Sequence, residues 1–352
     1  MVPSPDETAR TMTSSTTLII QPLPGIGDMV WHSTHIRVLA AASPGGRVVL
    51  MSKRRSFADQ LFAAESIIDD VLWLDRRPGR HDGVFGPFRI AEMLKGRGFQ
   101  RAVILHKSWR YAFACLLAGI PERLGYGLGL QRPFLTRGPY LPSALGKELQ
   151  IEQANRFVSA LGLGDDLAPL LKAPPACEDG AVPSGERPWL ALGVGGSGPE
   201  KKWAGDRFAR LARDMAARGW QTILLAGGPK EAEVRPLVEA ALAGTGVQVR
   251  DTFDLSVAEV MPQLARCGLF IGNDSGFLNI AAALRRPTVG LFGATKALTY
   301  VANLHPVVPV GGPAPFEGME RLTVEQVLAT VDTLTQAGAI SLEDGNQKCD
   351  TA

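Results

Sequence analysis

An aspartate in a glycine-rich turn, a lysine pair before a tryptophan, and an Asn-Asp-Ser-Gly run behind an apolar strand could all do chemistry in this chain. The aspartate, Asp28, stands in LPGIGDMVWHS, with Gly25 and Gly27 in a turn after an apolar segment. A carboxylate in a glycine-lined cleft can serve as general base toward a substrate hydroxyl; at the head of a helix it is equally an N-cap. His32 and His35 follow one and two turns along and could touch substrate or pack. Lys201, Lys202 and Trp203 follow GVGGSG (193–198), whose glycines, with Ser197, would let backbone approach a phosphate while Trp203 anchors the loop. In IGNDSGFLNIAAALRRPTVGLFG (271–293) the strand ends at Gly272 and a helix starts near Asp274, so its first N–H groups form an anion site. Asp274 or Ser275 would also cap that helix in the ordinary way. A bare carboxylate facing a diphosphate is repelled, so Asp274 is expected to shape the helix start by capping amides or bonding a hydroxyl, with Gly276 admitting the phosphate.

These residues need sheet edges to hold them. TTLIIQ, GRVVLMS, DDVLWLD and RAVILH read as strands, with a helix from Asp28 to Ala42 and another over WRYAFACLLAG. A Pro/Gly/acid-rich stretch, Leu163 to Arg187, reads as a linker, after which WLALGV, QTILLAG, VQVRD, LFIG and TVGLF alternate with helices. Strands separated by helices imply parallel sheets covered on both faces, here two Rossmann-like domains. The expected division is a disordered leader at 1–16, a first domain at 17–170, a linker at 171–187, a second domain at 188–322, a C-terminal helix at 323–338 and a flexible tail at 339–352. The loop of Lys201 and the NDSG run then share one carboxyl edge, and two converging anion sites suggest a pyrophosphate.

Several chemistries are set aside by pattern. GVGGSG fits GxGxxG, but the helix is delayed to Asp206 and the next strand ends AGG with no acid, so dinucleotide binding is not supported. There is no GxxxxGK[ST] loop, no HExxH, no His/Cys cluster and no Asp-x-Asp; Cys115, Cys177, Cys267 and Cys349 lie far apart. The scattered cysteines fit a reducing cytoplasm as the expected setting, and no apolar run approaches membrane-spanning length. Residues 1–150 carry 19 Lys+Arg against 12 Asp+Glu and the remainder 18 against 23, about +7 and −5. A basic first domain suits a phosphorylated acceptor or an anionic membrane surface and is too weak to argue nucleic acid.

PGIGDMV, AGIPERLGYG, KKW, LLAGGPKEAE and NDSGFLNIAAALRRPTVGLFGAT, in this order and spacing over Thr17 to Thr335, resemble glycosyltransferase family 9, the lipopolysaccharide heptosyltransferases. The resemblance implies a GT-B fold, two Rossmann-like doubly wound domains facing across a cleft, with acceptor in the first and donor in the second. It implies inverting transfer, with no metal or cofactor, of a heptose from ADP-heptose to a lipopolysaccharide-core or related glycan or glycolipid acceptor at the inner membrane surface. It gives Asp28 as base, Lys201 at the donor phosphates, Ser197 in the phosphate loop, Glu231 at the ribose, Leu255 beside the adenine and Asp274, Ser275 and Gly276 around the diphosphate; Lys202, the second cation of the loop, is a donor-site candidate on its own chemistry. Asn279 stands where the family usually has His; it can donate a hydrogen bond but cannot become cationic. A sugar-nucleotide epimerase of the same fold, or a non-catalytic sugar-nucleotide binder, would use the same residues.

Overall fold

The computed structural model describes residues 16–76, 79–165, 167–172, 187–297 and 301–342. The expected leader (residue 16 apart), most of the linker and most of the tail lie outside these. The chain divides into two compact units between Leu167 and Ala168. Residues 168–170, expected in the first domain, fall in the second unit, and Leu171, the first residue of the expected linker, donates its N–H there to the Ala283 carbonyl at 2.9 Å.

The first unit is a five-stranded parallel sheet: β1 (Thr17–Ile20), β2 (Val48–Ser52), β3 (Ile68–Trp73), β4 (Arg101–Ile104) and β5 (Glu122–Gly125), in the order β3-β2-β1-β4-β5. The second unit has β6 (Trp189–Gly193), β7 (Thr222–Ala226), β8 (Gln248–Asp251), β9 (Cys267–Asn273), β10 (Thr288–Leu291) and β11 (Leu304–Val307), in the order β11-β10-β9-β6-β7-β8, again all parallel. Central strands such as LALG and LLA are buried on both faces, as near-continuous apolar runs require in a sheet sandwiched by helices. In each unit the chain builds outward from its first strand, then returns to that strand's other side. The crevices beyond the carboxyl ends of β1/β4 and β6/β9 are therefore the switch points where doubly wound sheets take ligands.

Two local departures from the expected elements have plain causes. The helix expected from Asp28 starts at Ile26 and breaks at His32, giving helices Ile26–Trp31 and Ser33–Ala41. His32 Nδ1 takes the Asp28 carbonyl at 2.7 Å, the acceptor its own N–H would use in an α-helix, and that N–H shifts to the Met29 carbonyl. The edge strands β5 (ERLG) and β11 (LHPV) lack strand signatures; charged residues and Pro306 are tolerated there because one side of each strand meets no neighbour. Among the described residues no helix is long and apolar enough to cross a membrane.

Candidate active site

The second switch point is assembled by close backbone approach. Gly193 and Gly272 are register partners on β6 and β9, and a Cβ on Gly272 would lie 2.5 Å from the Gly193 Cα. Only glycine lets the two strand ends converge there. Just beyond, the fully buried Asn273 acts as a clamp: its Nδ2 donates to the Val194 carbonyl at 3.0 Å and its Oδ1 accepts from Trp203 N–H at 3.0 Å. Trp203 is itself buried, its indole N–H donating to the Leu322 carbonyl at 2.9 Å. The loop after β6 is thus fixed at both ends, which sets where Lys201 and Lys202 emerge.

Both lysines reach carboxylates on other loops. Lys201 Nζ lies 2.6 Å from Asp274 Oδ2, which also accepts from Thr295 Oγ1 at 2.8 Å. Lys202 Nζ lies 2.6 Å from Glu231 Oε1, while Glu231 Oε2 accepts from Gly228 N–H at 2.9 Å. The Gly227 backbone is held by Thr252 Oγ1 on both its N–H and its carbonyl, at 3.1 and 3.0 Å, and Leu255 follows in the turn after β8. Ser197 is exposed at the tip of the β6 loop. The structure therefore brings Lys201 together with Asp274 and Lys202 with Glu231 across three strand ends.

Helix Gly276–Ala283 begins at the same edge, and its cap is Ser275, whose hydroxyl accepts from Leu278 N–H at 3.4 Å. Of the two ways in which Asp274 is expected to act, it does not cap this helix and does bond a hydroxyl, that of Thr295. Its carboxylate is drawn to Lys201 and Thr295, an ion pair plus a hydroxyl being a stronger claim than one amide. Asn279, one turn in, turns its amide back onto the Ser275 carbonyl at 2.8 Å.

At the first switch point Asp28 sits in the first turn of helix Ile26–Trp31, its Oδ2 accepting from Gly25 N–H at 3.0 Å. Burial raises the carboxyl above its ordinary value; the Gly25 N–H and the Lys53 charge act against this. Among the described residues Asp28 makes no ion pair. His32 and His35 are core residues. Burial, with each other's proximity at His32, pushes them down to about 3 and about 4, and His35 Nε2 donates to Asn155 Oδ1 at 2.7 Å. Lys53, Arg76 and His106 escaped the sequence reading. His106 accepts from Ser108 N–H through Nδ1 at 3.0 Å and is lowered to about 4 by burial and then by Arg76, Lys107 and Lys53. Arg76 donates to the Tyr111 hydroxyl at 2.7 Å and pairs with Asp82 at 2.9 Å. The signal that could have found Lys53 and His106 is that each directly follows an apolar strand run, at its carboxyl end. Among the described residues no group of three or more His, Cys, Asp or Glu could hold a metal ion.

Comparison with known proteins ties this arrangement to a chemistry. The lipopolysaccharide heptosyltransferase 2 of Escherichia coli (strain K12) is 25% identical over 290 residues, 77% of this chain and 81% of that protein. The lipopolysaccharide heptosyltransferase 1 of Pseudomonas aeruginosa is 33% identical over 109 residues, 31% of this chain and 30% of that one. The solved structure of E. coli ADP-heptose lps heptosyltransferase II superposes with a TM-score of 0.69 at 23% identity, covering 92% of this chain and 99% of that one. The family description glycosyltransferase family 9 (heptosyltransferase) matches residues 88–302, more than half of the chain and running from the first unit into the second. With two doubly wound parallel units carrying their polar residues at the switch points, the chain belongs to glycosyltransferase family 9 and is a glycosyltransferase of GT-B fold.

Proposed function

We propose that this chain moves a heptose from ADP-heptose onto a sugar hydroxyl of the lipopolysaccharide core or a related glycolipid, in a single inverting displacement that needs no bound metal or other cofactor. The observation that carries this reading is the Lys201–Asp274 pair beside the start of helix Gly276–Ala283 at the β6/β9 switch point, a cation and a helix N-terminus on one sheet edge. The relatives, an ADP-heptose lps heptosyltransferase II among the solved structures and a lipopolysaccharide heptosyltransferase 2 by sequence, favour the donor and the acceptor class.

In this reading the first unit takes the acceptor and the second the donor. Asp28 accepts the acceptor hydroxyl proton as that oxygen bonds to the anomeric carbon. The bond from that carbon to the diphosphate oxygen breaks, and ADP departs with the electron pair. Lys201, Lys202 and the Ser275–Gly276 amides meet the growing charge, Ser197 lines the phosphate loop, Glu231 holds the ribose and Leu255 packs on the adenine. Asn279, fastened to Ser275, stiffens the helix start and can offer a donor but no cation. The work is done on the cytoplasmic side, against the inner leaflet where a glycolipid acceptor would lie.

A thermal-shift panel of ADP-, GDP-, UDP- and dTDP-sugars, followed by a transfer assay with core glycolipid, tests the proposal. ADP-heptose alone should stabilise the chain, by roughly 2.7 kcal/mol at about 100 times its Kd, and should be consumed only when acceptor is present. Selective stabilisation by another nucleotide sugar would overturn the donor assignment; a changed sugar without acceptor would select an epimerase.

A further inference from the structure

The first unit carries an aromatic surface that the transfer chemistry does not use. Trp109 and Phe113 lie one turn apart on helix Trp109–Leu117, with Leu116 and Leu117 continuing the stripe at 41% and 40% exposure. Phe134 stacks against Trp109 and Phe113 with ring centres 5.9 and 5.1 Å away, and Phe88 meets Phe113 edge-on at 5.8 Å. Four rings from three elements thus form one contiguous cluster. Phe88 itself is 50% exposed, and Val84 and Phe85, on the loop tied to the Trp109 helix, and Leu130, in the same short helix as Phe134, project at 80%, 68% and 71% exposure. Single exposed hydrophobes need no explanation, but a joined patch of this kind marks an interaction surface.

The charge around the patch is mainly positive, and the acid one turn along from Phe88, Glu92, is met by Arg80 at 3.6 Å. Between Arg80 and Phe134 the sequence holds nine Lys/Arg (80, 89, 95, 97, 101, 107, 110, 123, 132) against three Asp/Glu (82, 92, 122), a net of +6. Arg89, Lys107 and Arg132 are exposed, and Arg110 reaches the Gly83 carbonyl, tying the Trp109 helix to the loop that presents Val84 and Phe85. In a two-fold contact with a second copy such like-charged rims would meet and repel. Aromatic and leucine side chains ringed by cations instead match the interface of a bilayer bearing anionic lipid, apolar tips at the acyl boundary and cations at the headgroups.

We infer that the face formed by Phe85, Phe88, Trp109, Leu130 and their Arg89 and Arg132 rim docks the first unit onto an anionic membrane surface. Docking rests on this patch alone and not on sugar transfer, so it is measured without donor or acceptor. Full-length protein is co-sedimented with phosphatidylcholine vesicles and with vesicles containing phosphatidylglycerol. Binding should require phosphatidylglycerol, weaken as salt is raised, fall about fivefold for each of Arg89→Glu and Arg132→Glu, and fall about tenfold or more in Val84→Ser/Phe85→Ser. Those two apolar positions are so exposed that the variant should keep its circular dichroism and melting temperature; Leu130→Ser provides a second apolar test. The inference fails if the parent protein ignores phosphatidylglycerol vesicles, if the folded variants bind as the parent does, or if the parent is a dimer that the apolar variants split into monomers.

Discussion

Burial raises the Asp28 carboxyl, and neither the Gly25 N–H nor the Lys53 charge cancels that effect. A carboxylate raised toward neutrality is a better proton acceptor at working pH. The same shift has a stability sign. A group that holds its proton more tightly when folded stabilises the fold below its unfolded pKa, and that contribution is lost as pH rises through the folded value. Asp28→Asn keeps an acceptor for Gly25 N–H and removes the buried charge. It should cut turnover by about 10²- to 10⁴-fold while leaving donor-induced stabilisation intact and the melting temperature at pH 7 no lower than the parent's. The parent's kcat/KM should fall as acid protonates a group above the ordinary aspartate range, and the variant's residual rate should lack that limb; a pH–rate profile of both proteins checks it. Asp28, Lys201 and Asp274 were legible in the sequence because each is a charged residue within a few positions of a turn glycine. Lys53 and His106 could be placed at strand ends by the apolar runs before them, but which distant loop they and Thr295 face is set by strand order, which the sequence does not display.

Among elements, the strand β9 and the loop after β6 are bound by one side chain, Asn273. Its carboxamide meets a carbonyl and an N–H that have no access to water. Asn273→Ala would strand both backbone groups, at a cost on the order of 2–5 kcal/mol, and should lower the melting temperature by roughly 5–15 °C. Because the same loop carries Lys201, donor binding should weaken along with stability, whereas Asp28→Asn spares it; calorimetric melting and donor titration of the two variants separate these outcomes. The apolar central strands could be read directly from the sequence. The break at His32 could not, because it depends on a ring nitrogen competing for the Asp28 carbonyl. The edge strands β5 and β11 escaped for a different reason: their pairing is dictated by the neighbour and not by their own composition.

Across the whole molecule, three histidines of the first unit, His32, His35 and His106, are held neutral by burial, at about 3, about 4 and about 4. Each binds its proton more readily once unfolded, so their share of stability is present above the unfolded histidine pKa and drains away as pH falls through the window from about 6.5 toward 4. Each can contribute up to about 1.4 kcal/mol per pH unit in that window. Chemical denaturation at pH 7, 6 and 5 should show a fall in stability that His35→Gln makes shallower; equal slopes in the two proteins would remove His35 from this account. The division into two sheets was visible in the alternation of strands and helices, while the place of the division shifted to Leu167 because Leu171 bonds to the second unit. Lys201 and Lys202 each already grip a carboxylate on a different strand end. A visitor bearing a single negative charge offers either lysine no more than its present companion does. Under the proposed function a diphosphate has to displace both carboxylates at once, and a singly charged anion should compete for the pocket far less well than ADP.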